Sequence, residues 1–374
     1  MFLDLIKEKR CRLKDYIDSY QGQPLIVLGA GYGSKGIIQY LNDHAITDFH
    51  VCVNDCKWEA GNVAWGSYPV ERIGDVLASA KKPYDIIVTF AGFNKRMEAG
   101  YRRDYPGKVH HVEFDDVVSH SWMKSCIFTV DRAFYEIHES DLDRLYNDLC
   151  DDFSRKVMIS FIEQRISGDY SYSEGMVSCP HDKYFEPCII FKDNHLVLFD
   201  CGAYNGEDTR IFFERYGDDL KAFVVEPDEG NMKMAKENLA AFNDRIVFVD
   251  KVVANSETTM AFRSGNGESS GLADDGESKV ASTTIDSLYK KVRTELEGRD
   301  VIIKMDIEGA ELKALRGAEQ LIREKMPILS ICLYHKPEDI IEIPRYIKSL
   351  HKDYKFYLRR YESSFRELVL YAVP

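Results

Sequence analysis

Short apolar runs that alternate with segments of helical periodicity dominate the second half of the sequence. The runs are Leu196–Phe199, Ala222–Val225, Ile246–Val249, Val301–Met305 and Ile328–Leu333. Strands that alternate with helices form a parallel sheet whose faces the helices cover. The pattern therefore predicts an α/β fold with five parallel strands in this half of the chain.

Two further apolar runs, Phe356–Leu358 and Leu368–Val373, close the sequence. The segment between them, Arg359–Glu367, is too short to contain a crossover helix. We therefore expect these two runs to pair antiparallel as a hairpin, which gives the sheet seven strands.

The first half of the sequence repeats the alternation on a smaller scale. Pro24–Leu28, Phe49–Val53 and Asp85–Phe90 are apolar runs separated by helical patterns, which predicts a small parallel sheet. Between the halves, apolar residues recur at helical spacing from Leu142 to Ile166. This spacing predicts a helical connector.

These patterns predict two doubly wound, Rossmann-like α/β domains. The expected boundaries are residues 1–125 for the N-terminal domain, 126–194 for the connector and 195–374 for the C-terminal domain. Within the C-terminal domain, Ser264–Ser278 has too few apolar residues to pack. We expect a mobile lid or an unstructured loop there.

Charge and composition limit the functional classes. The formal net charge of -13 argues against a nucleic acid or an anionic membrane as the main partner, because both favour a basic surface. No apolar run is long enough to span a membrane, and Met1–Ile17 lacks the unbroken apolar core of a signal peptide. We therefore expect a cytoplasmic protein whose nine cysteines are free thiols.

The segment DCGAYNGEDT follows the first apolar run of the C-terminal half directly. Gly202 and Gly206 allow the backbone to approach a ligand closely, and Asp208 or Thr209 is expected to cap the next helix. In open α/β sheets, ligands bind in the crevice at the carboxyl ends of the strands. The segment therefore predicts a nucleotide-type ligand at this turn.

Glu226-Pro227 ends the second run, about twenty residues after the turn, where a carboxylate accepts both hydroxyls of an adenosyl ribose. Asp200 would repel a pyrophosphate but suits the ammonium and sulfonium of S-adenosylmethionine. We therefore predict an S-adenosylmethionine site. Asp250, just past the third run, is expected either to face the adenine amino group or to be an ordinary turn residue.

Five separated blocks give the second half a resemblance to a known family. DCGAYNGEDT, FVVEPD, IKMDIEGAELKALRGAE, ICLYHKPEDI and ELVLYA resemble, in this order, the FkbM-type S-adenosylmethionine-dependent methyltransferases. The resemblance extends from Phe185 to Val373, about half of the chain. It implies a methyltransferase sheet and O-methylation, since members of the family act mainly on hydroxyl groups of sugars and secondary metabolites.

The resemblance also implies which residues bind the cofactor. The positions that match the family's cofactor motifs are Asp200, Gly202, Asn205, Gly206 and Glu226. Tyr204 stands where many members have an asparagine, and Asn205 follows one position later. We add Tyr204, Thr209, Pro227, Asp250 and Asp306 to the predicted cofactor-binding residues because of their places at the same strand ends.

The carboxyl ends of the fourth and fifth runs carry the catalytic candidates. A hydroxyl acceptor must lose its proton, so we expect His335 to act as general base or to bind the acceptor. Asp306, with Glu308, would orient the acceptor or the cofactor; alternatively, His335 only hydrogen-bonds a loop. The three residues also suit a divalent metal, which their spacing does not favour. Lys304 could pair with these acids, and Glu311 is expected to be a first-turn helix acid.

A second glycine motif lies in the first half. Gly29, Gly31 and Gly33 follow a strand, and Asp55 lies where a ribose-binding acid belongs in a dinucleotide site. This half resembles, more loosely, the small nucleotide-sugar-binding domains of some sugar-modifying transferases. The alternative is a Rossmann-like domain used for docking or dimerisation.

The leading hypothesis is therefore an S-adenosylmethionine-dependent O-methyltransferase in glycan biosynthesis, such as capsule or O-antigen, or in secondary-metabolite biosynthesis. The expected acceptor is a carbohydrate or a nucleotide-linked sugar, and a homodimer is compatible with the sequence. One alternative is a nicotinamide-dependent oxidoreductase or nucleotide-sugar-binding protein that uses the N-terminal glycine motif. Another is a non-catalytic protein that retains the cofactor pocket.

Overall fold

The computed structural model divides the chain into two compact units. It describes residues 1–64, 68–90, 95–114, 130–188, 195–263, 271–272 and 278–374. The first unit comprises Met1–Glu139, Lys156–Val177 and Glu362–Arg366. The second unit comprises Ser140–Arg155, Ser178–Tyr361 and Glu367–Pro374.

The first unit contains one six-stranded sheet with helices between its strands. The strands are β1 (Leu25–Leu28), β2 (His50–Val53), β3 (Val63–Ala64), β4 (Tyr68–Arg72), β5 (Tyr84–Val88) and β6 (Val109–Phe114). The helices are α1 (Arg12–Ser19), α2 (Tyr32–Asp43), α3 (Ile73–Ser79), α4 (Lys95–Asp104) and α5 (Arg132–Ile137). The strand order is β3-β4-β2-β1-β5-β6, and every pairing is parallel except β3 with β4.

The predicted parallel sheet of the first unit is confirmed, and three of its strands were not predicted. The predicted runs correspond to β1, β2 and β5, and β1 is fully buried as its apolar sequence requires. The strands β3, β4 and β6 were missed because β3 has only two residues, while β4 and β6 mix polar and charged residues among apolar ones. Two further helices, α6 (Glu139–Asp148) and α7 (Asp152–Ser167), carry residues of both units.

The second unit contains a seven-stranded sheet and a smaller four-stranded sheet. The strands are β7 (Leu196–Cys201), β8 (Lys221–Val225), β9 (Ile246–Val249), β10 (Val252–Val253), β11 (Thr259–Arg263), β12 (Gly271–Leu272), β13 (Ser278–Thr283), β14 (Asp300–Met305), β15 (Ile328–Cys332), β16 (Lys355–Arg360) and β17 (Leu368–Val373). The helices are α8 (Glu207–Tyr216), α9 (Glu229–Asn238), α10 (Ile285–Val292), α11 (Glu311–Arg316), α12 (Glu319–Lys325) and α13 (Asp339–Leu350).

The seven-stranded sheet has the order β16-β17-β15-β14-β7-β8-β9. The five strands from β15 to β9 are parallel, whereas β17 pairs antiparallel with both β15 and β16. The predicted fold class and the C-terminal hairpin are confirmed. Because the chain leaves β7 towards β8 on one side and β14 lies on the other, the sheet has a topological switch point at the carboxyl end of β7.

The four-stranded sheet, in the order β10-β13-β11-β12, was not predicted. Two of its strands have only two residues, and β13 mixes polar and apolar residues without an apolar run. The predicted lid or loop at Ser264–Ser278 lies mostly outside the described residues. Of that segment, only Gly271–Leu272 and Ser278 are described, all in strands.

Across the described residues, none of the helices combines the length and the apolar character that a membrane crossing demands.

Gly202 fixes how the turn after β7 packs against the end of β14. Its φ is +78°, and a Cβ built on it would lie 1.9 Å from the carbonyl oxygen of Asp306. Two backbone segments therefore touch at this point with no room for a side chain. Gly217 offers a matched comparison, because its φ is +75° but a Cβ would meet nothing within 4 Å.

Gly202→Ala is expected to lower the free energy of unfolding by about 2–5 kcal/mol, because left-handed strain adds to a backbone overlap that no rotamer relieves. Gly217→Ala should cost only backbone strain, roughly 1–3 kcal/mol, because its φ of +75° and ψ of −149° suit glycine almost alone. Urea denaturation followed by circular dichroism measures both. Equal losses in the two variants would show that the Gly202 contact does not constrain the turn.

Candidate functional site

A cavity opens at the carboxyl ends of the central strands of the second unit. Its empty volume, including the solvent-filled mouth, is about 510 Å³. The lining residues are Gly202, Tyr204, Val225, Glu226, Pro227, Asn231, Lys251, Val252, Val253, Phe262, Asp306, Ile307, Glu308 and Ala310.

The glycine turn after β7 forms one wall of this cavity. Tyr204 has a φ of +48°, and its backbone N–H donates a hydrogen bond of 3.0 Å to Oε2 of Glu226. Helix α8 begins after Gly206, which has a left-handed conformation and gives no side-chain cap. The expectation that Asp208 or Thr209 caps this helix was therefore wrong, because both residues lie inside its first turn.

Backbone hydrogen bonds hold Glu226, one of the acids that line the cavity. It is buried, and its Oε1 accepts a hydrogen bond of 2.9 Å from the backbone N–H of Asp228. Burial raises the pKa of Glu226 to about 7, against the hydrogen bonds from Asp228, Tyr204 and Asn231 that lower it. A carboxylate fixed by backbone donors at the second strand end is suited to accept hydroxyl groups of a ligand.

Asp200 and Thr209 are fully buried and are not among the lining residues. Lys304 Nζ lies 2.9 Å from Asp200 Oδ1 and 3.1 Å from Asp208 Oδ2, and Thr209 donates a hydrogen bond of 2.5 Å to Asp200 Oδ2. Burial would lower the pKa of Lys304, but Asp200, Asp208 and Asp306 outweigh it and hold the pKa well above its ordinary value. Lys304 thus pairs with acids, as expected. Because Asp200 pairs with Lys304 and does not line the cavity, its predicted contact with the ligand ammonium stays a prediction that this arrangement does not favour.

Three other predicted cofactor residues have different places. Pro227 lines the cavity. Asn205 is not among the lining residues; its Oδ1 accepts a hydrogen bond of 3.1 Å from the backbone N–H of Glu207. Asp250 is exposed and does not line the cavity either, whereas the next residue, Lys251, does. The turn-residue alternative for Asp250 fits this position better than contact with an adenine.

Several lining residues were not predicted from the sequence. Val252 and Val253 form β10, and Phe262 lies in β11 of the small sheet, so they reach the cavity through strands that the sequence did not reveal. Asn231 lies in the first turn of α9 and follows the Asp228 cap, which was a readable signal. Val252, Val253 and Phe262 add apolar surface to the cavity.

Asp306 directly follows the last residue of β14 and lines the cavity. Its Oδ1 accepts a hydrogen bond of 2.9 Å from the Tyr334 hydroxyl, and its Oδ2 accepts one of 3.2 Å from the Tyr184 hydroxyl. Lys183 Nζ lies 3.5 Å from Oδ2. Burial would raise the pKa of Asp306, but Lys183 and His335 hold it well below its ordinary value. Asp306 is therefore an anion at neutral pH.

His335 lies behind Asp306 and Glu308. Its Nδ1 is 2.9 Å from Glu311 Oε1, and its Nε2 is 3.5 Å from Asp306 Oδ1 and 3.7 Å from Glu308 Oε1. The side chain is only 1% exposed and does not line the cavity. Burial would lower the pKa of His335, but Glu311 and Glu308 raise it well above the ordinary value.

This environment does not favour His335 as general base, because a raised pKa favours the protonated imidazole. Its predicted roles as base or acceptor-binding residue stay predictions. Of the predicted catalytic residues, Asp306 and Glu308 line the cavity. One carboxylate oxygen of each and one ring nitrogen of His335 all lie within 4.8 Å of one another.

Glu311 was expected to be a first-turn helix acid, and it does open α11. The side chain is fully buried, accepts a hydrogen bond of 3.0 Å from the backbone N–H of Ile307 and pairs with His335. Its function in the structure is to hold the imidazole, which the dipole argument alone did not predict.

The N-terminal glycine motif lies between β1 and α2 of the first unit. A Cβ at Gly29 would lie 2.4 Å from Thr89 Oγ1, so this glycine allows close packing. Gly31 precedes α2, and Gly33 lies within its first turn. The Asp55 carboxylate accepts a hydrogen bond of 3.1 Å from the backbone N–H of Gly74, at the start of α3. A nucleotide site at these four residues stays a prediction.

Comparison with known proteins identifies the second unit's sheet. Residues 200–361 match the family described as the methyltransferase FkbM domain. This segment is an FkbM methyltransferase domain. The domain is that of an S-adenosylmethionine-dependent methyltransferase, and the resemblance inferred from the five sequence blocks is confirmed. No curated protein matches the chain at a significant level.

One solved structure shares the fold of this chain. The chain is similar to the methyltransferase FkbM from Methylobacillus flagellatus KT, with 19% identity and a TM-score of 0.74 over 99% of this chain and 95% of that chain. An O-methyltransferase from Bacillus cereus in complex with SAH has 12% identity and a TM-score of 0.31 over 62% of this chain and 97% of that chain. The first similarity shows the fold, and the second is too low to carry an argument.

Glu226→Gln is expected to change how stability depends on pH. The folded-state pKa of about 7 lies above the ordinary value of 4.5, so the carboxyl contributes stability fully below pH 4.5 and loses it as pH rises through 7. Wild type should therefore lose on the order of 3 kcal/mol relative to the variant between about pH 4.5 and 8. Urea denaturation at both pH values measures this, and an unchanged difference would contradict the shifted pKa.

Proposed function

We propose that the protein transfers the methyl group of S-adenosylmethionine to a sugar hydroxyl in glycan or secondary-metabolite biosynthesis. The observation that carries the proposal is one cavity lined by three acids. Glu226 is held beside the glycine turn, and Asp306 and Glu308 follow β14. The FkbM domain provides the donor chemistry, and the acid pair is suited to a hydroxyl acceptor.

The residues around the glycine turn fit the donor. Gly202 leaves its wall without a side chain, Glu226 offers carboxylate oxygens for ribose hydroxyls, and Val252 and Phe262 offer an apolar surface for a flat base. The bound donor supplies an activated methyl group on a cationic sulfur. Asp200 acts indirectly in this arrangement, because its pair with Lys304 holds the turn in place.

The two acids after β14 fit a neutral, hydroxyl-bearing acceptor. Asp306 is an anion at neutral pH, and carboxylate oxygens accept hydrogen bonds from hydroxyl groups. An acceptor with phosphate or carboxylate next to the reacting oxygen would be repelled by these acids. Asp306 and Glu308 would hold the hydroxyl in line with the methyl group. As the oxygen–carbon bond forms and the carbon–sulfur bond breaks, one of these carboxylates would accept the hydroxyl proton. His335 and Glu311 would position these acids from behind.

Donor affinity should depend on Glu226 and on pH. Because the ionised carboxylate accepts the ribose hydroxyls, wild type should bind S-adenosylmethionine roughly tenfold more weakly at about pH 6 than at pH 8, around the pKa of about 7. Glu226→Ala should lose about 2 kcal/mol of binding free energy, and Glu226→Gln should lose the pH dependence. Calorimetry measures all three.

The exposed acid Glu229 gives the matched control, and Glu229→Gln should bind the donor as wild type does. Unchanged donor affinity in both Glu226 variants would refute the assigned cradle.

Acceptor chemistry should depend on the two acids after β14. Asp306→Asn and Glu308→Gln are expected to lower methyl transfer at least a hundredfold, about 3 kcal/mol, while donor affinity changes little, because these side chains contact the acceptor. Transfer of a labelled methyl group to cell-envelope glycan precursors measures the rate. Donor binding without transfer to any member of the panel would instead favour the non-catalytic alternative.

A further inference from the structure

Asp306 and Glu308 have a third polar side chain beside them that hydrogen bonding to an acceptor does not require. Directly behind the two carboxylates lies the imidazole of His335, and its Nε2 points between them at 3.5 and 3.7 Å. One ligand atom from each of the three side chains lies within 4.8 Å of the others. The geometry points to a divalent-cation site formed by Asp306, Glu308 and His335, an assignment that rests on the function proposed above and deepens it.

The spacing is close to what such a cation needs. Bonds of about 2.1 Å place neighbouring ligands about 3 Å apart and opposite ligands about 4.2 Å apart. The distances of 3.5 Å and 3.7 Å from Nε2 to the two carboxylates lie between these limits. Small side-chain movements would therefore complete the coordination without moving β14 or β15.

The residues behind the site hold its ligands as such sites usually require. Metal-bound histidines generally place the second ring nitrogen against a carboxylate, which fixes the ring and leaves the first nitrogen for the metal. Glu311 is 2.9 Å from Nδ1 of His335 and is itself held by the backbone N–H of Ile307. The Tyr334 hydroxyl likewise orients Asp306 through a hydrogen bond of 2.9 Å.

The local charge also suits a cation. Asp306, Glu308 and Glu311 bring three carboxylates around one imidazole, and Lys183 lies 3.5 Å from the outer oxygen of Asp306. A divalent ion would balance the negative charge of these carboxylates. Two carboxylate oxygens with one imidazole nitrogen suit a first-row ion such as Mn²⁺ better than Mg²⁺, which prefers oxygen ligands alone.

The site would also explain how a hydroxyl acceptor is recognised. Asp306 and Glu308 line the cavity, so a cation between them would be accessible from it. A hydroxyl oxygen that binds a divalent cation loses its proton more easily than a free alcohol does. The acceptor is then a neutral sugar whose reacting hydroxyl can bind the cation. Asp306 and Glu308 remain ligands of that cation.

Titration of the full, EDTA-treated chain with Mn²⁺, followed by electron paramagnetic resonance of the free ion, tests the site. Wild type should bind one equivalent. Asp306→Asn, Glu308→Gln and His335→Gln should each weaken binding at least tenfold, and Glu311→Gln should weaken it by about 10- to 100-fold because it only orients the ligand. The exposed acid Glu214 gives a matched control, and Glu214→Gln should bind as wild type does.

Circular dichroism melting curves show which variants remain folded, and Glu308, on the cavity side, provides the test if the buried His335 variant unfolds. Absence of stoichiometric Mn²⁺ binding by wild type overturns the assignment, as does equal affinity in the folded ligand variants. Calorimetry with S-adenosylmethionine on the same samples separates the two proposals. If wild type binds the donor and transfers methyl groups but does not bind Mn²⁺, the cation site alone is refuted. If wild type does not bind the donor, the proposed function is refuted.

Discussion

The buried ammonium of Lys304 is the interaction on which the cavity depends. It joins Asp200 at the end of β7, Asp208 in α8 and the carbonyl oxygen of Gly202, at distances of 2.9, 3.1 and 3.0 Å. A buried cation is tolerated only when such partners compensate for lost hydration. The network therefore fixes the turn against β14, and the close approach of Gly202 to Asp306 follows from it.

Elements with long apolar runs could be predicted from the sequence, and elements without them could not. The central strands β7, β14 and β15 are almost completely buried, so both faces of each are apolar and the runs are unmistakable. The small sheet from β10 to β13 has two strands of two residues each, and its partners come from distant positions. A short stretch of sequence does not show which distant strands pair. Phe262 and its neighbours were not predicted for that reason.

The candidate site shows the same division between position and environment. The places of Glu226, Asp306, Glu308 and His335 follow from strand ends, because parallel strands bring these ends to one edge. Their ionisation does not follow from position. Only the structure shows that Glu311 and Glu308 lie beside His335, where they raise the pKa of its imidazole, and that Asp306 and Glu308 line the cavity.

The place of β17 has a consequence for biosynthesis. Although β17 is formed by Leu368–Val373, it is an inner strand of the seven-stranded sheet, inserted between β15 and β16. Along the chain, β15 and β16 are therefore both synthesised before the strand that joins them. Until that strand arrives, both expose unpaired edges, which are open to pairing with other nascent chains. We expect chaperone dependence to concentrate in this interval of synthesis.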